Sequence, residues 1–114
     1  MFFTYIVLRN PLNTKTMISL TQSPELIEKE KVGELYFPQN DVLDGPTEKT
    51  MRRVDIIQAM RLGNIERYKV KIIFEDTESI KMVNTTIWAV TEKKIVLKRG
   101  VVIPVHRIHS IKFF

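Results

Sequence analysis

The chain has no cysteine, only four glycines and a single tryptophan. Without cysteine there is no disulfide framework, no thiolate nucleophile and no cysteine-based zinc site. A reducing compartment, the cytoplasm, is the expected location. Gly33, Gly45, Gly63 and Gly100 are too scattered for a glycine-rich phosphate loop. Long hydrophobic runs are missing as well. The opening Met1-Phe2-Phe3-Thr4-Tyr5-Ile6-Val7-Leu8 stops at Arg9-Asn10-Pro11, too early to span a bilayer, and no basic residue precedes it as in a signal peptide. It reads as a buried strand, and no membrane partner is expected. Ser110 and His109 are neighbours in sequence, which does not make a nucleophile and base pair, and no third orienting group is identifiable. A non-enzyme without a cofactor is expected.

What is present is enough for one modest core. The 114 residues are 44% hydrophobic and 27% charged, inside the globular range. The charge is uneven. Residues 1–50 hold five Lys/Arg against seven Asp/Glu, whereas residues 51–114 hold 13 against 6. A basic module behind an acidic extension points to a polyanionic partner. The competing reading is that lysines protect the edges of a β domain.

Two segments are expected. Residues 1–46 read as an irregular α/β extension: the apolar run, a polar stretch over 13–23, then a short helix capped by Ser23, with Pro24 at its first position, running to Lys31 and stopping at Gly33. Glu34-Leu35-Tyr36-Phe37 reads as a short strand, and 39–46 as a turn-rich linker. Residues 47–114 read as a helix plus a small β-barrel. Thr47 or Thr50 caps the helix, Met51, Val54, Ile57 and Met60 form its apolar stripe, and Gly63-Asn64 closes it; Arg52, Arg53 and Arg61 lie off the stripe. Because Met51 stands just before the patterned part, a chain starting there is a competing reading of the extension.

From Tyr68 the period is two. Val70, Ile72 and Phe74 form a half-buried strand, and 80–91 is too long and too irregular in phase for one flat strand, which calls for a bulge or sharp bend. Turns at 92–94 and 98–100 separate Ile95-Val96-Leu97 from Val101-Val102-Ile103. Pro104 belongs at a strand end or edge, and 106–110 suits one 3₁₀ turn before a last strand, Ile111-Lys112-Phe113.

This order resembles the Sm-like, SH3-like small barrels, and within them the bacterial host-factor branch. The similarity covers about residues 54–113 and rests on Val70-x-Ile72, on Ile95-Val96-Leu97-Lys98-Arg99-Gly100 and on His106-x-Ile108-x-Ser110-Ile111. It implies a mainly β fold, a short helix followed by a five-stranded barrel, and RNA as partner. His106 matches the histidine of that family's pore segment, while Pro104 and Val105 stand where its tyrosine and lysine are expected. The Rho-binding antitermination proteins look similar too, which implies instead a protein partner bound through a strand edge. Ile103-Pro104-Val105-His106-Arg107-Ile108 is similar to the end of an archaeal-type domain that recognises RNA ends.

The residues expected to carry RNA binding are His106 and Arg107, at a strand end where side chains leave the barrel, and Lys93, Lys94, Lys98 and Arg99 on two consecutive turns of one rim. The competing reading gives His106 a turn carbonyl and Arg107 a neighbouring carboxylate. Trp88 and Phe74 are the nearby aromatics; either could stack a base if exposed, with core packing the leading role for both. His106 and His109 lack a third ligand, so no metal site is expected.

Overall fold

The computed structural model describes residues 23–114. The apolar run at 2–8 and nearly all of the polar stretch at 13–23 lie outside them. The described chain is mainly β, with one α-helix and two sheets.

Helix α1 spans Pro46–Glu66. It starts earlier than the threonines suggest, because Pro46 has the helical φ built in and no N–H to leave unpaired, with Gly45 in the capping position. It also runs past Gly63-Asn64. Arg67 takes the left-handed conformation (φ 55°, ψ 34°), and its N–H closes the helix onto the carbonyls of Gly63 and Leu62. Gly63 is there for space instead: a Cβ would lie 2.6 Å from the Ile87 carbonyl oxygen and 2.7 Å from the Thr86 methyl. The helix therefore rests almost directly on the sheet.

The buried face of α1 is Arg52, Ile56, Ala59 and Gly63. That stripe is rotated by about one residue from the expected one, and Met51 and Val54 are 55% and 51% exposed. The rotation was hidden by Arg52, a charged residue that belongs to the buried face because Asp41 neutralises it.

Six strands follow α1 or its end. β2 (Val70–Glu75) pairs antiparallel with both β3 (Ile80–Thr85) and β7 (Ile108–Phe113); β4 (Ile87–Val90), β5 (Lys94–Leu97) and β6 (Val102–Pro104) form a second antiparallel sheet. Only Thr86 separates β3 from β4, so one bent run serves both sheets without a glycine at the bend. Pro104 ends the outer strand of its sheet, where a missing N–H costs nothing. A one-turn 3₁₀ break comes at Val105–Arg107, ahead of the expected 106–110, so the last strand starts at Ile108 rather than Ile111 and takes in His109 and Ser110. Among the described residues no strand pairing joins the two sheets into a closed barrel.

Inward-facing residues of both sheets, among them Ile72, Phe74, Ile87, Leu97, Ile103 and Ile108, pack against Ile56 and Ala59 of α1. Val32 from the N-terminal segment joins the same cluster.

That segment departs most from expectation. The helix expected from Ser23 is absent; residues Glu25–Leu26 form β1, parallel to β3, and a 3₁₀ helix follows at Lys29–Glu34. An isolated two-turn helix has a nucleation cost it cannot recover, whereas the open edge of β3 offers ready backbone partners. Ile27 N–H, for example, donates to the Met82 carbonyl at 2.9 Å. The expected strand at 34–37 does not form. Phe37 instead packs on Phe74, with ring centroids 6.1 Å apart.

The expected linker is a strap. Asp41 receives both guanidinium nitrogens of Arg52 at 2.8 Å, Leu43 is 2% exposed, and Val42 N–H donates to the His106 carbonyl. Residues 28–46 thus pack on the same core as the chain that follows.

Two carboxylates in this framework set its acid behaviour. Burial alone would raise the pKa of Asp41; the Arg52 hydrogen bonds, the Leu43 N–H and the charges of Arg52 and Lys49 more than reverse this. For Asp76 burial again opposes, and the N–H groups of Ser79 and Glu78 together with buried Lys81 at 3.0 Å prevail. Both folded-state values lie below the ordinary 3.8. Their stabilising contribution is therefore complete above 3.8 and lost as pH falls through the folded values. Urea midpoints measured from neutral pH down to about pH 3 should fall with acid, and less steeply in Asp41→Asn and Asp76→Asn. An unchanged slope in both variants would show that other groups carry the acid response.

Candidate nucleic-acid interface

The structure separates the residues expected to share a rim. Turns at the two ends of one strand cannot be neighbours, and β5 lies between them. Lys93 and Lys94 stand at its start, where the Lys93 carbonyl accepts from Val105 N–H; Lys98 and Arg99 stand at its end, where Lys98 N–H donates to Thr86. At about 3.3 Å per residue the two pairs are roughly 15 Å apart.

His106 and Arg107 lie at the Lys93 end and do not project from the surface as expected. His106 Nε2 donates to the Pro38 carbonyl at 2.8 Å. Arg107 is 2% exposed; its Nε donates to the Glu75 carbonyl at 3.0 Å and one terminal nitrogen to the Asn40 carbonyl at 2.8 Å. Burial pulls its pKa down, opposed by the charges of Glu75, Asp41 and Asp76. Both side chains hold the strap, and their partners are carbonyls on a distant part of the chain.

At the other end of β5 the chain builds a groove of about 680 Å³, lined by Gly63, Asn64, Arg67, Lys69, Thr86, Trp88 and Lys98. Each lining residue is placed by a local cause. The close approach at Gly63 brings the end of α1 down to Thr86 and Ile87. The left-handed turn at Arg67 ends α1, and Arg67 and Lys69 both line the groove. Between Ile87 and Ala89 the register of β4 against β5 shifts, leaving Trp88 out of the ladder. A bulge re-aims the side chain it carries, and Trp88 is 48% exposed. Lys98 is tied to Thr86 through its backbone and lines the groove as well.

No carboxylate is among the lining residues. Among the described residues, neither Arg67, Lys69 nor Lys98 forms an ion pair. Arg99, next to Lys98, is within Coulombic reach of Glu30. A half-exposed indole among three unpaired cations matches a strand of nucleic acid, whose bases stack and whose phosphates are anionic.

Of the six expected residues only Lys98 reaches this groove. Nothing local in the sequence distinguishes Arg67 and Lys69 from the other cations of the basic half. For Trp88 the sequence favours core packing, with base stacking as the alternative if it is exposed. The signal that could have found it was the broken apolar phase of 80–91, which marked the bulge. His106 and His109 have different partners, Pro38 and Glu75 at 2.8 Å each, and no group of three metal-ligating side chains occurs among the described residues. Compared with known proteins, the chain matches no family model, no curated protein and no solved structure.

Proposed function

We propose that the protein is a non-catalytic RNA-binding module of the Sm-like, SH3-like kind. The observation that carries the reading is Trp88, 48% exposed beside Arg67, Lys69 and Lys98. The order of elements supports the fold kinship: a helix, the bent run β3–β4 shared by two sheets, a one-turn 3₁₀ break and a final strand. The excess of basic residues after residue 50 supports a polyanionic partner.

A protein-interaction module is the second reading. It is favoured by β6, which lies at the edge of its sheet with Val102 exposed and could accept a strand from a partner. Salt separates the two. Trp88 is the only tryptophan, so its fluorescence reports on this groove directly. Titration with poly(U) should quench it, and log affinity should fall against log salt with a slope near −2, about −0.7 for each of three phosphate contacts. Absence of RNA binding at low salt would remove the RNA reading, and strand-edge binding would take its place.

A further inference from the structure

Resting on the RNA reading, we infer that the groove takes one unpaired base of a single strand, stacked on Trp88, with the flanking phosphates on Arg67, Lys69 and Lys98. Three features of the groove point to a single strand.

The first is its size. About 680 Å³ lies within the roughly 300–1,000 Å³ range of small-ligand pockets, room for a nucleotide inserted into it. The second is the indole. In a duplex every base face is covered by its neighbours, so a protruding aromatic finds no π-face to meet, whereas the bases of a single strand can be splayed out and stacked. The third is the distribution of charge. Arg67, Lys69 and Lys98 line the groove together with Trp88 and without a carboxylate, so the phosphates flanking a base stacked on the indole meet three cations in the same groove.

Arg67 has a special place in this arrangement. It occupies the left-handed position that ends α1, with φ 55°, where glycine is the residue of lowest strain. Among the described residues only Arg67 and Arg99 have positive φ without being glycine. Arginine at position 67 thus carries a conformational cost that glycine would avoid. Its charge also offsets the partial negative charge of the helix C-terminus, which would otherwise repel a phosphate entering the groove. Arg67 is therefore a binding residue held at the expense of stability.

The test uses the full chain and three probes of equal length with a fluorescent end label: oligo(U), an abasic single strand and a blunt RNA duplex. Anisotropy gives affinity, and Trp88 emission reports stacking. The inference expects oligo(U) to bind best and to quench Trp88, and the abasic strand and duplex to bind more weakly without quenching. Trp88→Leu should weaken oligo(U) by roughly tenfold to a hundredfold, the range for one stacked base, and Trp88→Phe should recover most of the loss. Arg67→Gly should lower the salt slope by about 0.7 while its melting temperature stays level or rises. That combination excludes a merely structural arginine, whose loss would lower the melting temperature. Equal affinity for duplex and single strand without quenching would overturn the inference and leave the RNA reading standing. Failure of every probe to bind would overturn both.

Discussion

Arg107→Ala should cost about 3–5 kcal/mol of folding stability and leave RNA affinity nearly unchanged wherever the variant is folded. The side chain is the largest of those fully buried. Its removal opens a cavity and strands the carbonyls of Glu75 and Asn40, which it joins across 32 and 67 positions of sequence. A large buried side chain cut to alanine costs about 3–5 kcal/mol, and an orphaned buried acceptor about 1–3 kcal/mol more unless water reaches it. For a domain of this size the melting temperature should fall by roughly 15 °C or more. Arg107→Lys should not rescue it, because a single ammonium cannot reach both carbonyls with the geometry of a guanidinium fork. The opposite result, weaker RNA binding at an unchanged melting temperature, would return Arg107 to the interface and move the site to the Lys93 end of β5.

The contrast between Arg107 and Trp88 shows what kind of information a sequence of this sort exposes. Strand periodicity was legible: alternation at Val70, Ile72 and Phe74 marks β2, and the lost phase after Ile80 marks the bend at Thr86 and the bulge at Trp88. The 3₁₀ break was legible because Pro104 and too few residues leave room for nothing longer. The partners of polar side chains were not. Arg52 read as solvent-facing because its neutralising carboxylate, Asp41, sits in a stretch that looks like a linker. His106 and Arg107 read as ligand-facing because the carbonyls they bind belong to residues 38 and 40, and backbone acceptors leave no mark in a sequence. The site was half legible for a related reason. An excess of cations in residues 51–114 fits a polyanion surface and protected β edges alike, and which cations share a face depends on which end of β5 each turn occupies and on where the chain leaves α1.

A chain consisting of residues 51–114 should not fold cooperatively, although it contains six of the seven strands and most of α1. Its losses fall on the core as well as the edge. Val32, 1% exposed, and Leu43 leave the interior, at about 1.5–3 kcal/mol each for the buried area alone. Arg52 keeps its place on the buried face of α1 but loses Asp41, and a buried charge stripped of its partner costs about 3–5 kcal/mol. Arg107 and His106 lose Asn40 and Pro38, and the edge of β3 loses β1. The first two losses alone come to about 6–11 kcal/mol, as large as a typical domain's whole stability of about 5–15 kcal/mol. Circular dichroism and amide dispersion of the truncated chain should show no sharp thermal transition and collapsed chemical shifts, while residues 23–114 retain every contact described above. The test also bears on the competing reading of Met51 as a start. A cooperative transition in the 51–114 chain would show that the strap at 38–43 is an appendage rather than part of the folding unit. The hydrogen bonds of Arg52 and Arg107 would then have to be replaced by water at little cost, which the burial of both side chains makes expensive.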